Sequence, residues 1–319
     1  MQSLLISKVS LERFKLPSLT RDILSNRLGK GAQGSVYQHK INNKVYAIKV
    51  LSSDDWEYED EFIDDSIWQL EVISHIKSLN LQKGMHFYGY DIITEDNTIY
   101  IMIVMDFLGN QGDLYDYIQK DKFWTKTDTI QNKYSFKKKG TSNYINYTMD
   151  KSEKIKITKQ MVDAVREIHS ERVGIIHGDI KTNNIMYSNK DGNQTIYLID
   201  FGASLYYDKN NKLLTTECTH GTLGYSSPED YLHFLLGKPS DIYSLAVSII
   251  EVWCGKIWIE LEEFKGCRNE VLKALRMVER NDIEVGLILR KCIEMDSSRR
   301  PDILKIYNYF NTIFNDDRI

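Results

Sequence analysis

The stretch LGKGAQGSVYQHKI, Leu28 to Ile41, places three glycines at G-x-G-x-x-G spacing (Gly29, Gly31, Gly34) directly ahead of an alternating run. Glycine lets a backbone approach phosphate oxygens closely and offer them N–H donors. Two kinds of nucleotide site use this spacing, and they fold differently. One needs the glycines to open a helix, whereas here SVYQHKI continues as strand. The expected element is a β-hairpin lid over ATP, built from Leu28, Gly29, Lys30, Gly31, Ala32, Gln33, Gly34, Ser35 and Val36. A plain glycine-rich hairpin fits the same letters, so the rest of the chain has to decide.

Asn42-Asn43 reads as a hairpin turn into the strand KVYAIKV. Its apolar alternation, Tyr46, Ile48 and Val50, puts Ala47 and Lys49 together on the opposite face. If that face lies under the glycine hairpin, Lys49 can meet phosphate, and a buried ammonium needs a carboxylate beside it. Glu71 is the expected partner, because Glu57, Glu59 and Glu61 belong to an acidic run, Asp54 to Asp65, that reads as a solvated face. Glu71 sits in a helical segment with Ile67, Leu70, Ile73 and Ile76 at three-residue steps and Lys77 near its end.

IYIMIVMDF reads as buried strand ending in the loop-like GNQGD. From Asp121 to Asp150 the composition turns to Lys, Thr, Asn and Tyr with little periodicity, the mark of a surface insertion. Helix resumes after Ser152 with Ile157, Met161, Val165 and Ile168 on one face. Another helix starts at Ser240-Asp241, is apolar almost all round and stops at Gly255, so it belongs inside a domain. A β-rich first third with one helix, then a mostly helical remainder, predicts an α+β chain in two lobes joined near Leu108 to Gly112.

Between those helices lies HGDIKTNN, His177 to Asn184, followed by IMYS, NKDGNQ, TIYLI and then Asp200-Phe201-Gly202. The Asp-Gly in the turn predicts a hairpin, which brings Asn184 and Asp200 together. One amide oxygen and one carboxylate suit Mg²⁺ held with nucleotide phosphates. Asp179 is placed to take or orient the proton of an attacking hydroxyl, and Lys181 to steady the transferred phosphoryl group.

Bulk properties narrow the reading further. With 41 Lys and Arg against 45 Asp and Glu, the formal charge is −4, against wholesale nucleic-acid binding. Cys218, Cys254, Cys267 and Cys292 form no C-x-x-C pair, which predicts reduced thiols in a cytoplasmic protein. MQSLLISKVSLERF has no long apolar core, so no signal peptide is expected, and no stretch reads as a membrane span.

GKGAQGSV, YAIK, HGDIKTNN, DFG, GTLGYSSPE, DIYSLAVSIIE and RRP, in this order, resemble the eukaryotic-type protein kinase family from about Leu24 to Tyr309. The resemblance implies a two-lobed fold and transfer of the ATP γ-phosphoryl group to Ser or Thr of a protein, with Mg²⁺. It also implies an adenine pocket with Met105 as gatekeeper, Asp106 and Leu108 at the hinge, Asp113 near the ribose and Met186 beneath the base. Glu229 would pair with Arg300, and Asp241 would brace the catalytic loop. The implied boundaries are an extension at 1–21, a kinase domain at 22–309 (N-lobe to 108, hinge 106–112, C-lobe from 113) and a tail at 310–319. Lys181 and Thr222 look like the serine/threonine branch.

Gly178 departs from the family, where an arginine usually grips an activation-segment phosphate; a phosphate on Thr215, Thr216 or Thr219 would lack that anchor. Two alternatives remain open at this stage. One is a pseudokinase scaffold, whose usual mark, loss of Lys49, Asp179, Asn184 or Asp200, is absent. The other is a small-molecule phosphotransferase, whose group generally lacks the GTLGYSSPE-like segment.

Overall fold

The structure is a computed structural model that describes residues 12–16, 21–31, 34–79, 81, 85–108, 112–119, 124–125, 137–138, 149–190, 193–208, 213–216, 221–255 and 263–315. Ala32, Gln33, Cys218, Thr219, hinge residues 109–111, most of the expected insertion and of the 1–21 extension, and the end of the tail lie outside the described residues.

Strands β1 (Arg27–Gly31), β2 (Gly34–Ile41), β3 (Lys44–Ser52), β4 (Phe87–Glu95) and β5 (Thr98–Asp106) form one antiparallel sheet in the order β1-β2-β3-β5-β4. Two tight turns need left-handed backbone: Asn42-Asn43 at φ 47° and 66°, and Asp96-Asn97 at 49° and 68°. Asparagine and aspartate tolerate that region better than other side chains. One sheet face, with Ile48, Val50, Met102 and Val104, packs on Leu16 and Ile23. The other, with Ala47, Ile103 and Met105, joins the main core, so Ala47 and Lys49 do lie opposite Ile48 and Val50.

Residues 12–16 run along β4. Arg13 bridges Tyr90 in parallel, Phe14 N–H donates to the Tyr90 carbonyl (2.7 Å), and Asp91 accepts from Arg13 Nε and Leu16 N–H, each at 2.8 Å. Gly89 makes room for this strap, since a Cβ there would stand 2.3 Å from the Glu12 carbonyl oxygen.

Helix α1 (Glu59–Leu79) crosses the main-core face; its first turn carries Glu59, Asp60 and Glu61, and Lys77 lies in its last. It starts inside the acidic run because acids favour a helix N-terminus. Helix α2 (Lys151–Ile168) is capped by Asp150, whose side chain accepts from Glu153 N–H. Ile157, Met161, Val165 and Ile168 are all buried on it. A hairpin of β6 (Ile185–Lys190) and β7 (Asn193–Leu198) packs on α2. Helix α3 (Lys238–Cys254) is buried at every residue from Ser240 to Trp253 and ends at Gly255, φ 85°. Amphipathic α4 (Phe264–Asn281), α5 (Ile283–Cys292) and α6 (Ile303–Asn315) follow it.

Cys254, Cys267 and Cys292 are free thiols, and burial pushes Cys292 up to about 12. Among the described residues no helix is long and apolar enough to cross a membrane.

Candidate active site

The loop between α2 and β6 hangs on Asp241 of α3, which is 1% exposed. One carboxylate oxygen accepts from His177 N–H (2.8 Å) and His169 Nε2 (2.8 Å), and the other from Gly178 N–H (3.0 Å). His177 is buried: Asp179 N–H donates to its Nδ1 (3.3 Å), so its Nε2 carries the proton and donates to the Ile199 carbonyl (3.0 Å). This ring ties the loop to the end of β7. Gly178 has φ +82°, and a Cβ there would meet the Ala203 carbonyl oxygen at 2.4 Å.

That scaffold presents Asp179. Its Oδ1 accepts from Thr222 N–H (3.0 Å) and Thr222 Oγ1 (2.9 Å). Its Oδ2 accepts from Lys181 Nζ (2.6 Å) and Asn184 Nδ2 (2.9 Å). Lys181 also donates to Thr222 Oγ1 (2.6 Å). A carboxylate held by four donors keeps one orientation.

The β6–β7 hairpin does what its turn letters imply. Ile185 pairs with Leu198, and Ile199 N–H donates to the Asn184 carbonyl (3.0 Å), setting Asn184 and Asp200 side by side. Asn184 Nδ2 bonds both the Asp179 carbonyl (2.8 Å) and its carboxylate, which leaves Oδ1 as the end for a cation. Asp200 has φ +61°, in the left-handed region that aspartate tolerates better than most side chains and that recurs at functional positions. Burial alone would raise its carboxyl; the Lys49 ammonium, then His177 and Lys181, bring it below the usual carboxylate range. No cluster of three His, Cys, Asp or Glu side chains suited to a metal occurs among the described residues. One carboxylate and one amide oxygen are hard-oxygen donors of the kind that would hold Mg²⁺.

Lys49 Nζ donates to Asp200 Oδ1 (2.8 Å) and to Gln69 Oε1 (3.3 Å). The expected partner, Glu71, is not the helix residue that reaches it. The Glu71 charge is felt instead by Tyr206, whose phenol is raised first by burial and then by this carboxylate. The reason is helical phase. Phe62, Ser66, Gln69, Ile73 and Ile76 share one buried face of α1, and Glu71, two residues from Gln69 and so about 200° round the helix, points away from that face. That i, i+4, i+7, i+11 stripe is present in the sequence, and so is the signal for Gln69. Trp68, also missed, donates its indole N–H to the Ser204 carbonyl (2.8 Å), fastening α1 to the segment after Asp200.

The glycine stretch is a hairpin, with Gly31 opposite Gly34 across Ala32-Gln33. Gly34 is obligatory: φ is +130° and a Cβ would meet the Val50 carbonyl oxygen at 2.4 Å. Gly29 has open space around it. Leu28 stands 47% exposed at the rim, with Lys30 opposite Ser35, while Val36 packs on the main core. Ala47 pairs with Met105 across β3–β5, and both are buried. Asp106 accepts from Tyr88 Oη (2.6 Å). Leu108 and Met186 pack on the core, and Asp113 bridges Met186 across the hinge exit. Asp113 accepts from Asp116 N–H (2.7 Å) and Asn183 Nδ2 (3.3 Å), and burial lifts its carboxyl above the usual range. Glu229 and Arg300 form a buried two-pronged ion pair, 2.7 Å on each prong.

Residues 23–310 match the protein kinase domain family. The chain is 26% identical over 304 residues to a serine/threonine-protein kinase-like protein of Arabidopsis thaliana, covering 90% of this chain and 74% of that protein. It is 29% identical over 259 residues to wall-associated receptor kinase 3 of the same plant (81% and 30%). Against that plant's cysteine-rich receptor-like protein kinase 25 it is 26% identical over 309 residues (90% and 40%). The chain thus spans well under half of the two receptor kinases. It belongs to the protein kinase domain family, whose members transfer phosphate from ATP with Mg²⁺.

Proposed function

We propose that the chain is a serine/threonine protein kinase in which Asp179 is the catalytic base. The observation that carries this reading is the convergence on one carboxylate of Lys181, Thr222 and Asn184, with Asp200 and Lys49 alongside. The acceptor hydroxyl gives its proton to Asp179 as its oxygen bonds the γ-phosphorus. The bond from that phosphorus to the bridging oxygen breaks, releasing ADP. Lys181 lies where charge develops on the transferred group, and Lys49 meets the non-transferred phosphates. Asn184 and Asp200 would hold Mg²⁺, which would neutralise phosphate charge.

Residues 28–31 and 34–36 cover the nucleotide from above. Ala47, Met105, Asp106, Leu108 and Met186 surround the base, and Asp113 takes the ribose. The kinase domain spans 22–309 with its hinge at 106–112, and its acceptors are proteins. Reduced thiols at Cys254, Cys267 and Cys292 fit a cytoplasmic setting.

The test is transfer of labelled phosphate from ATP and Mg²⁺ to a mixed protein substrate, with phosphoamino-acid analysis. Wild type should label serine and threonine, while Asp179→Asn and Asp200→Ala should lower the rate by at least about 10³-fold. Equal labelling by all three would refute the assignment.

A further inference from the structure

Lys49 is met from α1 by an amide, not a carboxylate. Gln69 is 1% exposed, and its Oε1 accepts from Lys49 Nζ at 3.3 Å. Its other end is fixed: Nε2 donates to Asp65 Oδ2 at 2.6 Å, one helical turn earlier. An amide has one end that attracts an ammonium and one that repels it. A carboxylate accepts only, so Asp65 can engage just the NH₂ end. With that end turned to Asp65, the oxygen must face Lys49. A flipped amide would set NH₂ against NH₃⁺ in a buried place and lose both bonds.

We propose that Asp65 and Gln69 together are the positioning device for Lys49, Asp65 acting through the amide it orients. The proposal rests on the kinase reading, in which Lys49 meets ATP phosphates. Polarity passes from Asp65 through a neutral group, so the ammonium is guided without a second full charge beside Asp200. Asp200 is the carboxylate in ion-pair contact with Lys49. A carboxylate in place of the Gln69 amide would rival it for the same ammonium. The amide gives a weaker hold that Lys49 can share with phosphate oxygens.

A double-mutant cycle tests this on the full chain: wild type, Asp65→Ala, Gln69→Glu and the double variant. Each is assayed for kcat and KM for ATP, for ATP affinity by direct titration, and for Tm. With Gln69 present, Asp65→Ala should lower kcat/KM for ATP by about tenfold, the scale of one buried hydrogen bond to a charged group. Asp65→Asn should stay within about twofold, because its amide oxygen accepts the same bond. In the Gln69→Glu background, either oxygen of the new carboxylate serves Lys49 and Asp65 is only a like charge. Asp65→Ala should then leave kcat/KM unchanged or raise it.

The same loss in both backgrounds, or no loss beside Gln69, overturns the proposal, since a structural role would not depend on the side chain at that position. If Asp65→Ala does not fold, Gln69→Leu carries the test, and ATP affinity equal to wild type overturns the idea. A chain that binds ATP with the predicted differences yet transfers no phosphate defeats the kinase reading and leaves this assignment standing. A chain that transfers phosphate with identical constants in all four variants defeats the assignment alone.

Discussion

At residue 178 the backbone stands at φ +82° with the Ala203 carbonyl oxygen 2.4 Å from where a Cβ would be. The glycine is thus a conformational fit as well as the loss of an arginine, and only the second of these is legible in the letters. Gly178→Ala should cost about 1–3 kcal/mol in urea unfolding, the scale of a strained left-handed residue. For regulation, the missing guanidinium leads to a separate expectation. Thr216 already donates its hydroxyl to the Phe234 carbonyl (3.0 Å), and Thr215 lies in a short strand paired with Leu235. Phosphatase treatment, or Thr215→Ala with Thr216→Ala, should leave the transfer rate within about twofold of untreated enzyme. A large drop reproduced by both would show that phosphate is required. The reacting groups themselves, Asp179, Asn184 and Asp200, are readable because their order and spacing are covalent facts. Gln69 is harder to read, because choosing between it and Glu71 depends on helical phase, which advances by about 100° per residue.

Among the elements, α3 and its partners hold the site in place. Arg300 grips Glu229 with both prongs and also donates to the Glu294 and Pro239 carbonyls, while Ser240 Oγ donates to Glu229. Glu229 is thereby fully satisfied although nearly buried. Burial would raise its carboxyl, but Arg300 outweighs that and lowers it. A carboxyl depressed in the folded state stabilises the fold above its unfolded value, near 4.5. That contribution disappears as pH falls through the lower folded value. Acid titration of Tm should therefore fall less steeply in Glu229→Gln than in wild type below about pH 4.5. At neutral pH the same variant should lose about 3–5 kcal/mol, because Arg300 is left as a buried charge without its carboxylate. The pairing itself is implied by the family resemblance, not by periodicity; the two residues lie 71 positions apart.

Across the whole molecule, hydrophobic alternation, asparagine turns and the almost wholly apolar α3 are enough to give two lobes and the strand-to-helix order. The boundary between them is legible because composition changes sharply after Phe107. Long-range docking of short polar segments is not legible, since a strap such as residues 12–16 carries no period of its own. Deleting 126–136 should leave the rate on a generic substrate unchanged, as expected of an insertion that carries no reacting group. A collapse of activity in a still-folded deletion protein would contradict that. Gly89→Ala should dislodge the strap, lowering Tm by a few degrees and opening residues 12–16 to protease. The strap also changes what the sheet can do in a crowded solution. β4 is last in the sheet order, yet its Tyr90 amide is already bonded to the Glu12 carbonyl (3.3 Å) and its Tyr90 carbonyl to Phe14 N–H. An edge whose middle, at Tyr90, is already bonded to the chain's own N-terminal segment is a poorer template for a second copy. The Tyr90 amide should accordingly exchange with deuterium as slowly as those of interior strands, and Gly89→Ala should both speed that exchange and make concentrated protein self-associate.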